Sequence, residues 1–274
     1  MELYTKTSAA LAAVLTEEYS TSFSAASKLF DPSIRKDIYN IYGLVRIADE
    51  IVDTYNGHDQ AALLDAFEQE TYAAMERGFS TNPIIHAFAQ TASQFGIDTS
   101  LLMPFFESMR TDIDPQPLNE DALRTYIYGS AEVVGLMCLR VFCKGDDDIY
   151  NELAPGAQRL GAAYQKVNFL RDIAADHDQL GRYYFAGSSF ETLDEPGKAA
   201  IIADITRDFE AAKPYLAALP ITARQAVSLS YRYYLALLNK LDSTPITVLK
   251  KQRVRLSKLQ KIVIYAVVRI KGRV

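Results

Sequence analysis

Two stretches of this 274-residue chain put carboxylates where the surrounding pattern demands a buried helix. In NFLRDIAADHD, residues 168–178, apolar side chains flank Asp172, Asp176 and Asp178. At the helical rotation, Gln165, Asn168, Asp172 and Asp176 share an arc of about 80°. In YGLVRIADEIVD, residues 42–53, Tyr42, Arg46, Asp49, Glu50 and Asp53 share an arc of about 100°. Like charges at i, i+4 cost an isolated helix about 0.2–0.5 kcal/mol. Carboxylates turned toward a core cost more unless a cation meets them. One such pair is usually a solvated face. Two pairs, each beside an arginine and each in aliphatic sequence, predict two helices facing one another across bound cations.

The rest of the pattern is also helical. Residues 33–55 run without proline up to Asn56-Gly57, a helix-ending pair. Further helices are expected over 60–79, 82–97, 99–113 and 119–143. Another begins near Pro155 and runs to about 180, and one follows Pro220. Only IVIYAVV, residues 262–268, reads as a possible strand. No repeat or Gly/Ser linker divides the chain, so residues 1–274 are expected to form one all-α domain of roughly ten helices.

Composition narrows the chemistry. Cys138 and Cys143 form neither a CxxC motif nor a disulfide framework, so a reducing, cytoplasmic setting is expected. The only histidines are His58, His86 and His177, too few for a His/Cys zinc site. The N-terminus lacks the pattern of a signal peptide. The longest apolar run has seven residues, against the ~20 needed to cross a bilayer. Net charge is −5, yet residues 250–274 hold nine of the 29 cations and no acid. Such a tail is either a solvated helix end or is drawn to phosphate, on a ligand or a membrane surface. No nucleic-acid partner is expected.

Magnesium uses few carboxylates, keeps several waters and completes its shell with substrate phosphates. Two facing acidic pairs therefore suit a diphosphate, which such ions stabilise as a leaving group. Asn and Gln at the same stripe add neutral oxygen ligands or hydrogen bonds.

Four segments, YSTSFSAASKLF, VRIADEIVD, YIYGSAEVVGLM and NFLRDIAADHDQLGRYYF, occur in this order. On them the chain resembles the squalene/phytoene synthase family, most closely its bacterial phytoene-forming members, from Tyr19 to about Lys261. The resemblance implies an isoprenoid-synthase-type helical bundle with a central cavity. It implies head-to-head condensation of two prenyl diphosphates through a cyclopropyl intermediate. Asp49, Asp53, Asp172 and Asp176, with Asn168, would hold Mg2+ (or Mn2+). Arg46, Gln165, Asn168, Arg171 and Arg182 would contact diphosphates or order the metal sites. Tyr19, Ser20, Ser22 and Phe23 match the substrate-binding segment, Tyr128 the catalytic tyrosine segment, and Tyr234 and Arg253 the distal Tyr and Arg.

Three positions depart from the family pattern: Tyr19 stands where some members have His, Glu132 where a small residue is common, and Ala186 where Pro is common. None removes a metal ligand.

An allylic cation survives only in a dry cavity, and aromatic faces stabilise it by ~0.5–2 kcal/mol each. Ending by proton loss gives phytoene or dehydrosqualene; ending by hydride gives squalene. The chain has no GxGxxG fingerprint, and no nicotinamide cofactor is expected for the phytoene reading. Small Ala26 and Ser27 beyond Phe23 are expected to leave room for a long tail, favouring two geranylgeranyl diphosphates over two farnesyl diphosphates. A non-catalytic relative acting in assembly would be expected to have lost metal-binding acids. An unrelated all-α nucleotide pyrophosphatase would not need the YSTSF or YIYGS segments. The basic tail around IVIYAVV is expected to rest peripherally on the inner face of a membrane and release product into lipid.

Overall fold

Hydrophobic periodicity becomes helix throughout. The computed structural model describes residues 1–271 apart from Asn56, Pro117 and Ala186; the side chains of Thr21, Ser22, Ile270 and Lys271 also lie outside the description. Among the described residues there is no strand. The helices are α1 (Glu2–Tyr19), α2 (Thr21–Ser27), α3 (Pro32–Asp49), α4 (Gln60–Arg77), α5 (Pro83–Phe95), α6 (Thr99–Ile113), α7 (Glu120–Ile127), α8 (Val133–Phe142), α9 (Asp147–Leu180), α10 (Glu195–Ala218), α11 (Ile221–Asp242), α12 (Ile246–Leu249) and α13 (Lys258–Lys271). Two π-helical turns, Glu50–Thr54 and Tyr128–Glu132, interrupt the runs expected to be single helices over 33–55 and 119–143.

The 34-residue α9 packs along α10 and against α8, α11 and the 128–132 turn. It starts eight residues before Pro155, earlier than the proline suggests. The Asp146 side chain caps it, accepting from the Ile149 amide at 3.0 Å, and Asp147 and Asp148 suit the positive end of its dipole. Proline inside a helix removes one hydrogen bond, but the neighbouring Gly156 lies against the Tyr215 ring, where a Cβ would fall 2.3 Å from it.

At the other π turn, a Cβ on Gly129 would sit 2.1 Å from the Pro104 carbonyl oxygen. Glycine there lets the turn seat directly on the α6 backbone and fixes the place of Tyr128 next to it. A π turn also shifts the register of every residue after it.

The apolar run 262–268 is helical. Val268 packs with Leu229, Tyr233 and Ala26, and Ile264 lies against the same cluster one turn away. A lone strand there would have had no partner for its backbone.

Candidate active site

The first acidic pair lies where α3 gives way to the π turn. Asp49 is the last residue of α3 and Asp53 lies in the turn. Arg46 pairs with Glu50 and reaches Asp49 at 3.7 Å. Its guanidinium lies over the Tyr19 ring, 4.4 Å from the centroid. Ser20 caps α2 by accepting from the Phe23 amide at 3.1 Å, and Phe23 stacks on Tyr42 at 4.9 Å. The expected YSTSF segment thus packs beside the first acidic pair through Tyr19 and Phe23. The Ser22 side chain lies outside the described residues.

The second pair lies on α9. Arg171 binds Asp172 through Nε at 2.9 Å and NH2 at 2.5 Å. Arg253 grips the same carboxylate, Nε to Oδ1 at 2.7 Å. Both arginines are close enough to act on each other, so positive charge gathers at this edge. One turn back, the Tyr234 hydroxyl donates to Asn168 Oδ1 at 3.3 Å, and its ring stacks on Tyr164 at 4.0 Å. Gln165 donates to Ser130 Oγ of the second π turn at 3.3 Å.

Arg182 ties the two halves together. Gly181, at φ 63°, ends α9 in the left-handed region. The chain doubles back, and the Arg182 amide donates to the Asp176 carbonyl at 2.9 Å. The Arg182 side chain is only 5% exposed, and its NH1 meets Asp53 at 2.6 Å. Its NH2 donates to the carbonyls of Asp112 at 2.6 Å and Val52 at 3.2 Å. Of the two roles expected for Arg182, the geometry fits ordering the site: its hydrogen bonds already go to the protein.

Burial and like charge act on both acidic pairs. Withdrawal from water, then repulsion by Asp53, pushes the Asp49 carboxyl up to about 7. This follows the protein wrapped around Asp49 more than the 31% of its side-chain surface still open. Withdrawal from water, then Asp172, pushes Asp176 up to about 7 as well; Asp53 adds to the rise and Arg182 opposes it. Arg182 links the two pairs directly, its side chain on Asp53 and its amide on the Asp176 carbonyl.

The donor set fits a hard divalent cation. Among the described residues, no three His, Cys, Asp or Glu side chains cluster so as to hold an ion by themselves. The chain offers carboxylate pairs instead, as suits an ion that shares its shell with water and phosphate. The crowded charges that raise Asp49 and Asp176 are those a cation would relieve.

The packed helices α8 and α9 carry several half-buried side chains. Cys138 on α8 and Tyr164 on α9 retain accessible surface. Yet withdrawal from water pushes the Cys138 thiol up to about 12 and raises Tyr164 strongly. Val134, Ala157, Leu160 and Tyr128 are likewise half-buried against the core. The residues expected to leave room for a long tail, Ala26 and Ser27, are both buried. Ala26 packs into the α2–α11–α13 cluster. Ser27 is fully buried, donating to the Ser24 carbonyl at 2.9 Å and the Tyr39 hydroxyl at 3.3 Å. The bond to Tyr39 ties Ser27 to α3, which its spacing from Phe23 does not reveal. Glu132 has Arg159, Asp208 and Lys166 as its charged neighbours on α9 and α10. A groove of about 850 Å³ on the outer face between α1, α3 and α5 includes none of the aspartates of either pair.

The squalene/phytoene synthase profile matches residues 16–260, most of the chain and all of these side chains. The chain belongs to the squalene/phytoene synthase family. It is 30% identical to the phytoene synthase of Pseudescherichia vulneris over 228 residues, covering 79% of this chain and 69% of that one. It is 30% identical to the 15-cis-phytoene synthase of Paracoccus sp. (strain N81106 / MBIC 01143) over 186 residues, covering 65% of this chain but 59% of the relative. In fold it is similar to a ligand-bound dehydrosqualene synthase, with a TM-score of 0.82 at 20% identity over 98% of this chain and 97% of that one.

One functional-looking residue escaped the sequence reading. Asp112, near the end of α6, is buried and accepts from Tyr126 at 2.9 Å and Tyr184 at 3.3 Å. Burial, opposed chiefly by Arg182, pushes its carboxyl up to about 6. The signal was present: Leu102, Phe105, Phe106, Met109 and Asp112 share one stripe of α6, an acid on an apolar face. His177, by contrast, stacks on exposed-side Phe190 at 3.9 Å and contacts Asp178.

Proposed function

We propose that this family member condenses two prenyl diphosphates head to head, through a cyclopropyl intermediate, and that its preferred substrate is geranylgeranyl diphosphate, giving phytoene. The observation that carries the reading is the pair of carboxylate stripes, each bound by arginines and joined to one another through Arg182.

Asp49, Asp53, Asp172 and Asp176, with Asn168, are the residues that would hold Mg2+ (Mn2+ has the same ligand preferences), and the ion would supply charge neutralisation to a departing diphosphate. Arg171 and Arg253 sit at the rim, paired to Asp172, and can turn their forked donors to phosphate oxygens. Arg46, stacked on Tyr19, offers the same on the α3 side. Arg182 keeps Asp53 in place. Gln165 and Tyr234 hold Ser130 and Asn168 and so fix the α9 stripe. Tyr128 and Tyr164, half-buried in the π turn against α9 and on α9 itself, are the aromatic rings that would face an allylic cation shielded from water. Loss of a proton closes the cyclopropane, and a second ionisation with proton loss gives the hydrocarbon.

The twenty-carbon reading is favoured by the two relatives named phytoene synthase at 30% identity. The fold neighbour named dehydrosqualene synthase supports two farnesyl diphosphates as the alternative. Retention of all four aspartates and their arginines weighs against a non-catalytic assembly role. The test is mass analysis of the lipid formed from each diphosphate with Mg2+, with and without NADPH. A C40 hydrocarbon independent of NADPH supports the phytoene reading; a C30 product from farnesyl diphosphate alone overturns the chain length, and no lipid from either overturns the reaction.

The product would be insoluble in water, and α13 offers a route into lipid. Leu259, Ile262 and Val263 are 70%, 63% and 53% exposed on a helix that also carries Lys258, Lys261 and Arg269. Lys271 and Arg273 extend this basic run in sequence, but the Lys271 side chain and all of Arg273 lie outside the described residues. Among the described residues no helix is long and apolar enough to cross a membrane. We propose that α13 lies on the cytoplasmic face of an anionic bilayer, as amphipathic basic helices do.

A further inference from the structure

We infer that Asp112 is a positioning residue whose charge keeps Asp53 available to a cation; the inference rests on the metal–diphosphate reading above. The argument is one of charge and geometry.

Arg182 stands between two carboxylates. Its NH1 lies 2.6 Å from Asp53, and its Nε lies 3.5 Å from Asp112 Oδ1. Its NH2 is spent on the carbonyls of Asp112 and Val52. Val52 belongs to the π turn that carries Asp53, so Arg182 fixes that turn as well as its carboxylate. The turn's carbonyls are met from the other side by Gln60, whose Nε2 donates to Ile51 at 2.8 Å, Val52 at 3.1 Å and Tyr55 at 3.1 Å.

With one cation and two carboxylates the triad Asp53–Arg182–Asp112 keeps one net negative charge. Remove Asp112 and Asp53 becomes one half of a neutral ion pair in a shielded site. Its attraction for a second cation falls, because Arg182 no longer divides its charge between two acids. Burial strengthens the effect, since little water screens the pair.

Asp112 is built to stay in place. Tyr126 donates to its oxygens at 2.9 Å each and Tyr184 at 3.3 Å. Tyr126 stacks on Tyr184 at 5.3 Å, and Tyr184 stacks on Phe169 of α9 at 4.0 Å. Phe169 directly follows Asn168 on the helix that carries the second acidic pair. The aromatic stack therefore ties Asp112 to both halves of the site.

The test is a Mg2+ titration of the thermal shift produced by inorganic diphosphate, run on the full chain, with turnover measured alongside. Asp112→Asn is nearly isosteric; it removes the charge and replaces one accepting oxygen with an amide donor. Its half-saturating Mg2+ concentration should rise roughly fivefold or more, with turnover at saturating Mg2+ recovering most of its wild-type value. Asp112→Glu keeps the charge but adds a methylene to a packed site, so it should melt earlier yet keep a Mg2+ midpoint near wild type. A Mg2+ midpoint unchanged in Asp112→Asn, or one that follows melting temperature instead of charge across the two variants, overturns the inference. If Asp112→Asn does not fold, Tyr184→Phe leaves every charge in place and should move the midpoint less than about twofold; a larger shift overturns the claim that charge is the cause. A wild-type protein whose melting does not respond to Mg2+ with diphosphate overturns the metal–diphosphate reading itself, and the role of Asp112 with it.

Discussion

Arg253 and Asp172, 81 residues apart, form a forked ion pair: Nε meets Oδ1 at 2.7 Å and NH2 meets Oδ2 at 3.2 Å. Asp172 is thus held by two guanidiniums, from Arg171 beside it and from Arg253 on the segment after α12. One carboxylate cannot satisfy two arginines, and the surplus charge is what an incoming diphosphate would meet. Arg253→Ala should lower kcat/KM for prenyl diphosphate ~10–100-fold, the worth of a charge-assisted hydrogen bond. Arg253→Lys should recover little, because lysine lacks the fork. Steady-state kinetics at saturating Mg2+ check both.

Protonation should tune stability in a defined direction. Asp49 and Asp176 have folded-state values of about 7, above the ordinary 3.8. Between these limits the folded state binds more protons than the unfolded one, so their contribution to stability falls as pH rises from about 4 to about 7 and stays lost above that. The metal-free protein should therefore gain stability from these groups on moving from pH 8 to pH 5. In Asp49→Asn/Asp176→Asn that gain should shrink, and stability at pH 8 should rise. Urea unfolding in a chelator at several pH values measures it. Adding Mg2+ with inorganic diphosphate should reverse the trend, stabilising the wild type more at pH 8 than at pH 5.

Side chains at the seam of α8 and α9 should set chain length. Cys138→Phe adds a ring at a half-buried position on α8 and should shift preference from the twenty-carbon toward the fifteen-carbon substrate. Ser27→Phe should instead destabilise, because Ser27 is fully buried and bonded to Tyr39; overpacking costs ~1–3 kcal/mol. A competition assay with both diphosphates and a thermal melt separate the two outcomes.

The α13 surface should bind anionic lipid in a salt-sensitive way. Each cation near such a surface contributes ~1 kcal/mol. Lys258→Gln/Lys261→Gln/Arg269→Gln should therefore weaken co-sedimentation with anionic liposomes by tenfold or more, on the order of two such contacts. Neutral liposomes should bind poorly at any salt. Equal binding to both lipids would argue against an electrostatic contact.

The pattern of the sequence revealed much of this arrangement, for physical reasons. The i, i+4 carboxylates of Asp49/Asp53 and Asp172/Asp176 could be placed on stripes because helical rotation is fixed. Arg253 was reachable only through resemblance, since no spacing rule links residues 81 positions apart. The π turns at 50–54 and 128–132 were not legible: their hydrophobic pattern differs from an α-helix by a single inserted residue, and what holds them includes Arg182 and the backbone of Pro104, both distant in sequence. The hydrogen bonds of Ser27 were not legible, because spacing from Phe23 gives a direction along the helix but not which neighbour meets the side chain. The 262–268 run was ambiguous because seven apolar residues suit either element, and its partners Leu229 and Tyr233 decided it.

The central claim is that the two facing acidic stripes act together on a diphosphate. The most direct measurement is turnover of geranylgeranyl and farnesyl diphosphates by Asp49→Asn and Asp172→Asn, each from one stripe, at saturating Mg2+ and alongside circular dichroism. Each variant should lose at least about a hundredfold in turnover, the scale of removing one stabilising group at developing charge, while keeping the wild-type helical spectrum. Near-wild-type turnover in either variant, with the fold intact, would contradict the claim.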